Sequence, residues 1–248
     1  MLRRPLFLLA LLAALLTACA PLRREAPPGE VPSVLAAPAE FPRAFYEQAL
    51  SRGQPVYRIE PARSLAVITV RRGGSLARLG HDHVVASRHV QGLVAPGEGR
   101  ADLYLPLAEL SVDEPALRAE AGLDTQPSNA DIAATRANML DKVLGVQRFP
   151  FALIRVSGPA AMTADARLGL EITLHGTARR FDLPVRIAMV NGELKVAGTL
   201  EFDQSDFGIV PFSVLGGAIQ VQDRLSLRFS LQARRVGAQD GTGPWSMQ

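Results

Sequence analysis

Hydropathy with a period of two over most of the chain, turn residues at short intervals and one stretch of helical spacing predict an all-β fold. The expected architecture is an antiparallel barrel or sandwich of eight to ten strands with a single amphipathic helix. Leu168, Leu170, Ile172 and Leu174 alternate with Arg167, Gly169, Glu171 and Thr173. Phe181, Leu183, Val185 and Ile187 do the same against Arg180, Asp182, Pro184 and Arg186, and Leu194, Val196, Leu200 and Phe202 form a third row. A fourth row is Leu225, Leu227, Phe229 and Leu231, set against Arg224, Ser226, Arg228 and Ser230. Successive strand side chains point to opposite faces, so each row gives one dry face and one wet face.

Further strands are expected at residues 56–60, 65–71, 83–93, 101–112 and 149–157. Asn191-Gly192 is the signature of a two-residue hairpin, and Gly73-Gly74 and Gly216-Gly217 mark turns or bulges. The helix is expected from Ser128, with Asp131 completing a capping box after Pro127. Ile132, Met139, Leu140 and Val143 recur at helical spacing, and Gly145 stops the run. Its apolar stripe should plug or cover the sheet.

The N-terminus has different physics. Arg3 and Arg4 precede an apolar run too short to span a bilayer as an ordinary helix, and Leu16-Thr17-Ala18-Cys19 closes it. Residues 1–18 are expected to be a signal peptide of the bacterial lipobox kind, with Cys19 acylated as the first mature residue. Ala20 in place of Asp resembles the outer-membrane sorting pattern, so the expected location is the bacterial envelope, anchored in the outer membrane and facing the periplasm. Two or more acyl chains suffice for a stable anchor. Residues 19–54 carry repeated prolines and read as an extended tether, with a short amphipathic turn expected to interrupt it around residues 41–50. The barrel domain then spans 55–236, followed by a weakly patterned tail, 237–248.

Composition excludes several function classes. The formal net charge is +3, and two of the positive charges belong to the signal segment, which leaves no electrostatic footprint for nucleic acid. A single cysteine excludes an internal disulfide framework and a cysteine-based zinc site. No Gly-x-Ser-x-Gly elbow or phosphate loop occurs, and Asp203 and Asp206 around Ser205 read as a turn. The chain is not expected to be an enzyme.

Two constellations stay open. His81 and His83 in Gly80-His81-Asp82-His83 lie on one face of an extended strand and could begin a metal site, with His89, His175 or an acidic residue as a further ligand. The alternative is that they end a strand and hydrogen-bond to backbone or to the loop around Arg78. The other is the dry face, where aromatic residues make up only 6% of the chain and Leu, Ile and Val dominate. An eight-stranded barrel with such a wall holds either a packed core or one long flexible hydrocarbon.

Several segments together resemble the YceI-like family. They are Tyr57-Arg58-Ile59-Glu60-Pro61-Ala62-Arg63-Ser64, the helix end Met139-Leu140-Asp141 with Arg148-Phe149-Pro150-Phe151, Leu174-His175-Gly176-Thr177, and Ser205-Asp206-Phe207-Gly208-Ile209. The resemblance runs from about Val56 to Arg235 and implies a lipocalin-like eight-stranded antiparallel β-barrel with one helix and a long apolar pocket. It also implies a polyisoprenoid or similar lipid as ligand and no other cofactor, with Leu168, Leu170, Ile172, Leu174, Leu225, Leu227, Phe229 and Leu231 facing it. The sequence departs from the family in its lipobox and tether, in a longer 113–128 segment, and at the helix start. There Asp131 and Arg136 are the residues nearest to the family's Arg-Asp pair. Alternatives to the carrier are a metal-binding periplasmic protein using His81 and His83, and an envelope interaction module with an inert barrel.

Overall fold

The computed structural model describes residues 36–159 and 163–237. The expected signal peptide, Cys19, the first part of the tether and nearly all of the expected tail lie outside the described residues. The first barrel strand is split into β1 (Tyr57–Ile59) and β2 (Leu65–Val70) by a 3-10 turn at Pro61–Arg63. Pro61 opens that turn because it has no N–H to give to a ladder. β3 (Arg72–Gly73) leaves the barrel. The second barrel strand is β4 (His83–Ser87) with β5 (Gln91–Ala95), and the third is β6 (Arg100–Pro106) with β7 (Ser111–Val112). The expected strands at 83–93 and 101–112 are therefore each broken once, the latter after Pro106.

The rest of the barrel is regular. β8 (Phe151–Ser157), β9 (Asp165–Leu174), β10 (Thr177–Val190) and β11 (Glu193–Asp203) pair in sequence. β12 (Ser213–Val214) and β13 (Ile219–Val221) join β3 in a small second sheet, and β14 (Arg224–Arg235) completes the barrel. Asn191 and Gly192, at φ of 54° and 79°, form the expected tight hairpin between β10 and β11. His175 and Gly176, at 51° and 74°, do the same between β9 and β10, so His175 is a turn residue.

Closure comes from β14. One edge pairs with β11 from Leu194↔Ala233 to Asp203↔Arg224. The other pairs with β2 from Ser226↔Thr69 to Ser230↔Leu65, and then with β1 from Tyr57↔Arg235 to Ile59↔Ala233. Since β1 also pairs with β5 and β2 with β4, the result is a closed antiparallel barrel of eight strands. Of the barrel and the sandwich that the period-two rows allow, the structure is the barrel, with the eight strands that the family resemblance implies.

The structure has three α-helices among the described residues where one was expected. The expected one is α3 (Asn129–Asn138), capped by Ser128 and Asp131 and continued by a π turn at Met139–Val143. α2 (Pro115–Glu120) starts on a proline and buries Leu117 against Val67, Val84 and Ala86 on the outer face of the wall. α1 (Arg43–Ser51) lies within the segment expected as a tether, where the short amphipathic turn was expected around residues 41–50. It is docked rather than extended, because Tyr46 and Ala49 are fully buried against Val56, Leu93 and Ala95.

α1 is pinned by a polar contact under that apolar layer. Tyr46 donates from its hydroxyl to Asp102 at 2.7 Å, and Arg100 donates to the same carboxylate at 2.6 Å. Burial and the Asp102 carboxylate push the Tyr46 hydroxyl well above the usual phenol range, so it stays a donor. Tyr46→Ala should cost about 3 kcal/mol in urea unfolding, as a cavity replaces the ring. Tyr46→Phe should cost about 1 kcal/mol, since Asp102 keeps Arg100. Equal losses would mean that the packing of the ring contributes nothing beyond the hydroxyl.

Candidate functional site

The inward rows of the barrel do not meet. They enclose a cavity of about 510 Å³, within the range of ligand pockets. Its wall runs from Ile59, Val94 and Leu194 at one end to Met139, Phe207 and Ile219 at the other. Leu168, Leu170, Ile172 and Leu174 on β9 and Leu225, Leu227, Phe229 and Leu231 on β14 all line it. Of these eight, only Leu170 and Leu225 are fully buried, while the other six are half-buried although they point inward. Water-sized access from inside the barrel accounts for that exposure. A packed core would bury them as completely as Tyr46 and Val84 are buried outside the wall, beneath α1 and α2.

Small residues on the wall keep it open. Ala66, Ala101 and Ala166 each line the cavity. At Gly198 an added Cβ would come within 2.8 Å of the Phe229 ring, so glycine there lets that ring lie flat against β11 rather than project into the tunnel.

One end carries the polar groups. There the π turn brings Met139 and Val143, the small sheet brings Val214 and Ile219, and His81 and His83 enter the wall from the start of β4. His83 Nδ1 lies 2.6 Å from Asp113, which also accepts from the Val84 N–H at 3.0 Å and from Arg118 at 2.6 Å. The Asp113 side chain has no exposed surface. Burial alone would raise its pKa, but the hydrogen bonds from His83, Val84 and Arg118 outweigh burial and hold the carboxyl below its usual range. An ionised Asp113 can only accept, so His83 Nδ1 carries the hydrogen. Arg118 is itself fixed by the Asp82 carbonyl at 2.7 Å and by Thr125.

The histidines do not converge as a four-way set. The His81 and His83 rings are 6.3 Å apart, whereas His89 faces Glu109 at 3.9 Å and His175 stacks on Phe149 at 4.6 Å. Among the described residues no group of three or more His, Cys, Asp or Glu side chains is placed to hold a metal ion. The expected contribution of His89 or His175 to a site with His81 and His83 does not occur. Both sit at positions their own turns dictate, His175 in the β9–β10 hairpin and His89 in the break between β4 and β5.

Asp113 and Arg118 were missed in the sequence. Their cue was an acidic residue two before Pro115, followed by an arginine on the fourth residue of the helix that proline opens. Asp113, at φ 57°, occupies the left-handed region that Asp tolerates, and this turns the chain from β7 into α2. Asp131 and Arg136 play a different part. Asp131 caps α3, and Arg136 donates to the carbonyls of Ala108 and Leu110, tying the helix to the turn after β6.

A family model described as the YceI-like domain matches residues 57–233. A polyisoprenoid binding domain from Saccharophagus degradans, implicated in plant cell wall breakdown, superposes with a TM-score of 0.51. It is 12% identical over 72% of this chain and 97% of its own. BcnA from Burkholderia cenocepacia gives 0.49 at 15% identity, over 70% and 98% of the two chains. A Campylobacter jejuni YceI protein gives 0.38 at 11%, over 55% and 74%. At such identities the likeness to the first structure is one of fold. No curated protein matches the sequence.

The Asp113 network sets a pH dependence. A carboxyl held low when folded adds stability that is fully present above its unfolded pKa of roughly 3.9 and is lost as pH falls through the lower folded value. Asp113→Asn should therefore cost about 3 kcal/mol at pH 7. The gap to the unsubstituted protein should close below about pH 4 in urea melts recorded across pH. A gap independent of pH would contradict the ionised reading.

Proposed function

The chain belongs to the YceI-like domain family, and from that premise we propose that it binds and carries a long apolar ligand, a polyisoprenoid or similar lipid, inside its barrel. The observation that carries this reading is the continuous apolar cavity whose inward Leu and Ile rows remain half-buried. Each ligand methylene moved there from water would gain roughly 0.8 kcal/mol. The Saccharophagus degradans structure, described as a polyisoprenoid binding domain, supports the same class of ligand. The function is binding rather than catalysis. Cys19, in its lipobox, would anchor the protein by acyl chains to the outer membrane, and the prolines before α1 would hold the barrel off the bilayer on its periplasmic side.

Organic extraction and mass spectrometry of protein purified from the bacterial envelope test this directly. The expected result is a stoichiometric isoprenoid or comparable lipid. Ala101→Phe, which projects a ring from β6 into the tunnel, should strip that lipid while leaving the protein folded. An empty extract from folded protein would overturn the carrier reading. Cys19→Ser should abolish lipidation, so a substituted protein that still carries acyl chains would contradict the anchor.

A further inference from the structure

The tunnel wall is apolar almost throughout, which makes its few polar side chains informative. Most already have partners inside the protein. Gln204 donates to the Gln222 carbonyl at 2.9 Å, and Ser87 accepts from the His89 N–H at 3.0 Å. Arg72 donates to the Gly80 carbonyl at 2.9 Å and faces Asp82, while at the far end Arg100 is engaged with Asp102. His81 differs. Its Nδ1 is buried and has no hydrogen-bond partner, and of the two such side-chain atoms among the described residues it is the one on the tunnel wall. An orphaned buried polar atom costs about 1–3 kcal/mol unless something satisfies it.

A second unused atom lies beside it. His83 spends its Nδ1 hydrogen on Asp113, which leaves Nε2 of the neutral ring as an acceptor. The two rings are 6.3 Å apart and inclined at 74°, close enough to serve one small head group. The geometry points to a polar subsite at this end of the tunnel, in which His81 and His83 bind the hydroxyl head, alcohol or phenol, of the chain that fills the apolar part.

A hydroxyl has one hydrogen to donate and lone pairs to accept, so it serves both rings when His81 Nδ1 carries its hydrogen: it accepts from that N–H and donates its own hydrogen to His83 Nε2. The surrounding charge favours a neutral head over a phosphate. Arg118 is matched by Asp113, and Arg71 and Arg72 both face Asp82. Asp131 adds a negative charge near His81. Exposed Lys142 faces the Phe212 ring, 5.9 Å from its centre. Among the described residues Arg118 is the one buried cation, and half-buried Arg136 is committed to the Ala108 and Leu110 carbonyls, so a buried phosphate would find no unengaged partner.

This inference rests on the carrier reading, and its test separates the two. Delipidated full-length protein would be titrated with geranylgeraniol, geranylgeranyl monophosphate and the chain-matched hydrocarbon. The alcohol should bind about tenfold more tightly than the hydrocarbon and more tightly than the phosphate. His81→Phe should bring the alcohol down to the hydrocarbon's affinity, and His81→Gln, which restores a polar atom, should recover part of the preference. Equal binding of alcohol and hydrocarbon, or a preference that survives in His81→Phe, would overturn the subsite while leaving the tunnel intact. Tighter binding of the phosphate would overturn the neutral head. Failure of all three ligands to bind would remove the carrier reading and the subsite together.

Discussion

The pairing of β14 with both halves of the first strand is the constraint on which the interior depends. Once that seam is closed, backbone hydrogen bonds fix the barrel's circumference, and the side chains inside must fill whatever volume it encloses. Eight strands give an interior that large side chains can fill or that can hold one small ligand. Here the balance is set by Ala66, Ala101, Ala166 and Gly198, which stand where larger residues would close the space. The wall cannot collapse around them without breaking its ladders. The cavity is thus the joint outcome of a rigid perimeter and a few undersized residues.

Burial that would ordinarily accumulate in the centre is displaced to the outside. Tyr46 of α1, Val56 and Ala95 beneath it, and Val84 and Ala86 beneath α2 are among the most buried of the described residues. All of them pack outside the barrel's interior. Both helices brace the part of the barrel where the first three strands are broken, and they buttress it with packed surface that the open interior does not supply. The two acids buried among the described residues, Asp102 and Asp113, sit in these same braced regions, each with an arginine partner.

An antiparallel barrel or sandwich with one dry face per strand was legible because period-two alternation encodes strand and facing together, whereas the closed eight-stranded form and its pocket came from the resemblance to the YceI-like family. Asn191-Gly192 and the Ser128 capping box were legible because their chemistry is local. The breaks at Pro61 and Pro106 were less so, since a proline demotes a strand without saying whether pairing resumes beyond it. α1 was legible only as a short amphipathic turn, and α2 was obscured by its short length and its opening proline; both are held by tertiary burial more than by propensity. Asp113 and Arg118 draw their role from contacts with β4 rather than from any spacing between themselves. His81 and His83 stood out in the sequence as a metal candidate. What their surroundings reveal is a different division of labour, with one ring oriented by Asp113 and the other left with an unpartnered atom on the tunnel wall.

The barrel holds an open apolar tunnel and not a packed core. Crystals of the delipidated protein under xenon pressure test it most directly, because xenon occupies apolar voids and leaves packed interiors empty. The account predicts xenon at successive positions between the Leu168–Leu174 row and the Leu225–Leu231 row. A barrel free of xenon, with Leu227, Phe229 and Leu231 packed onto the opposite wall, would contradict it.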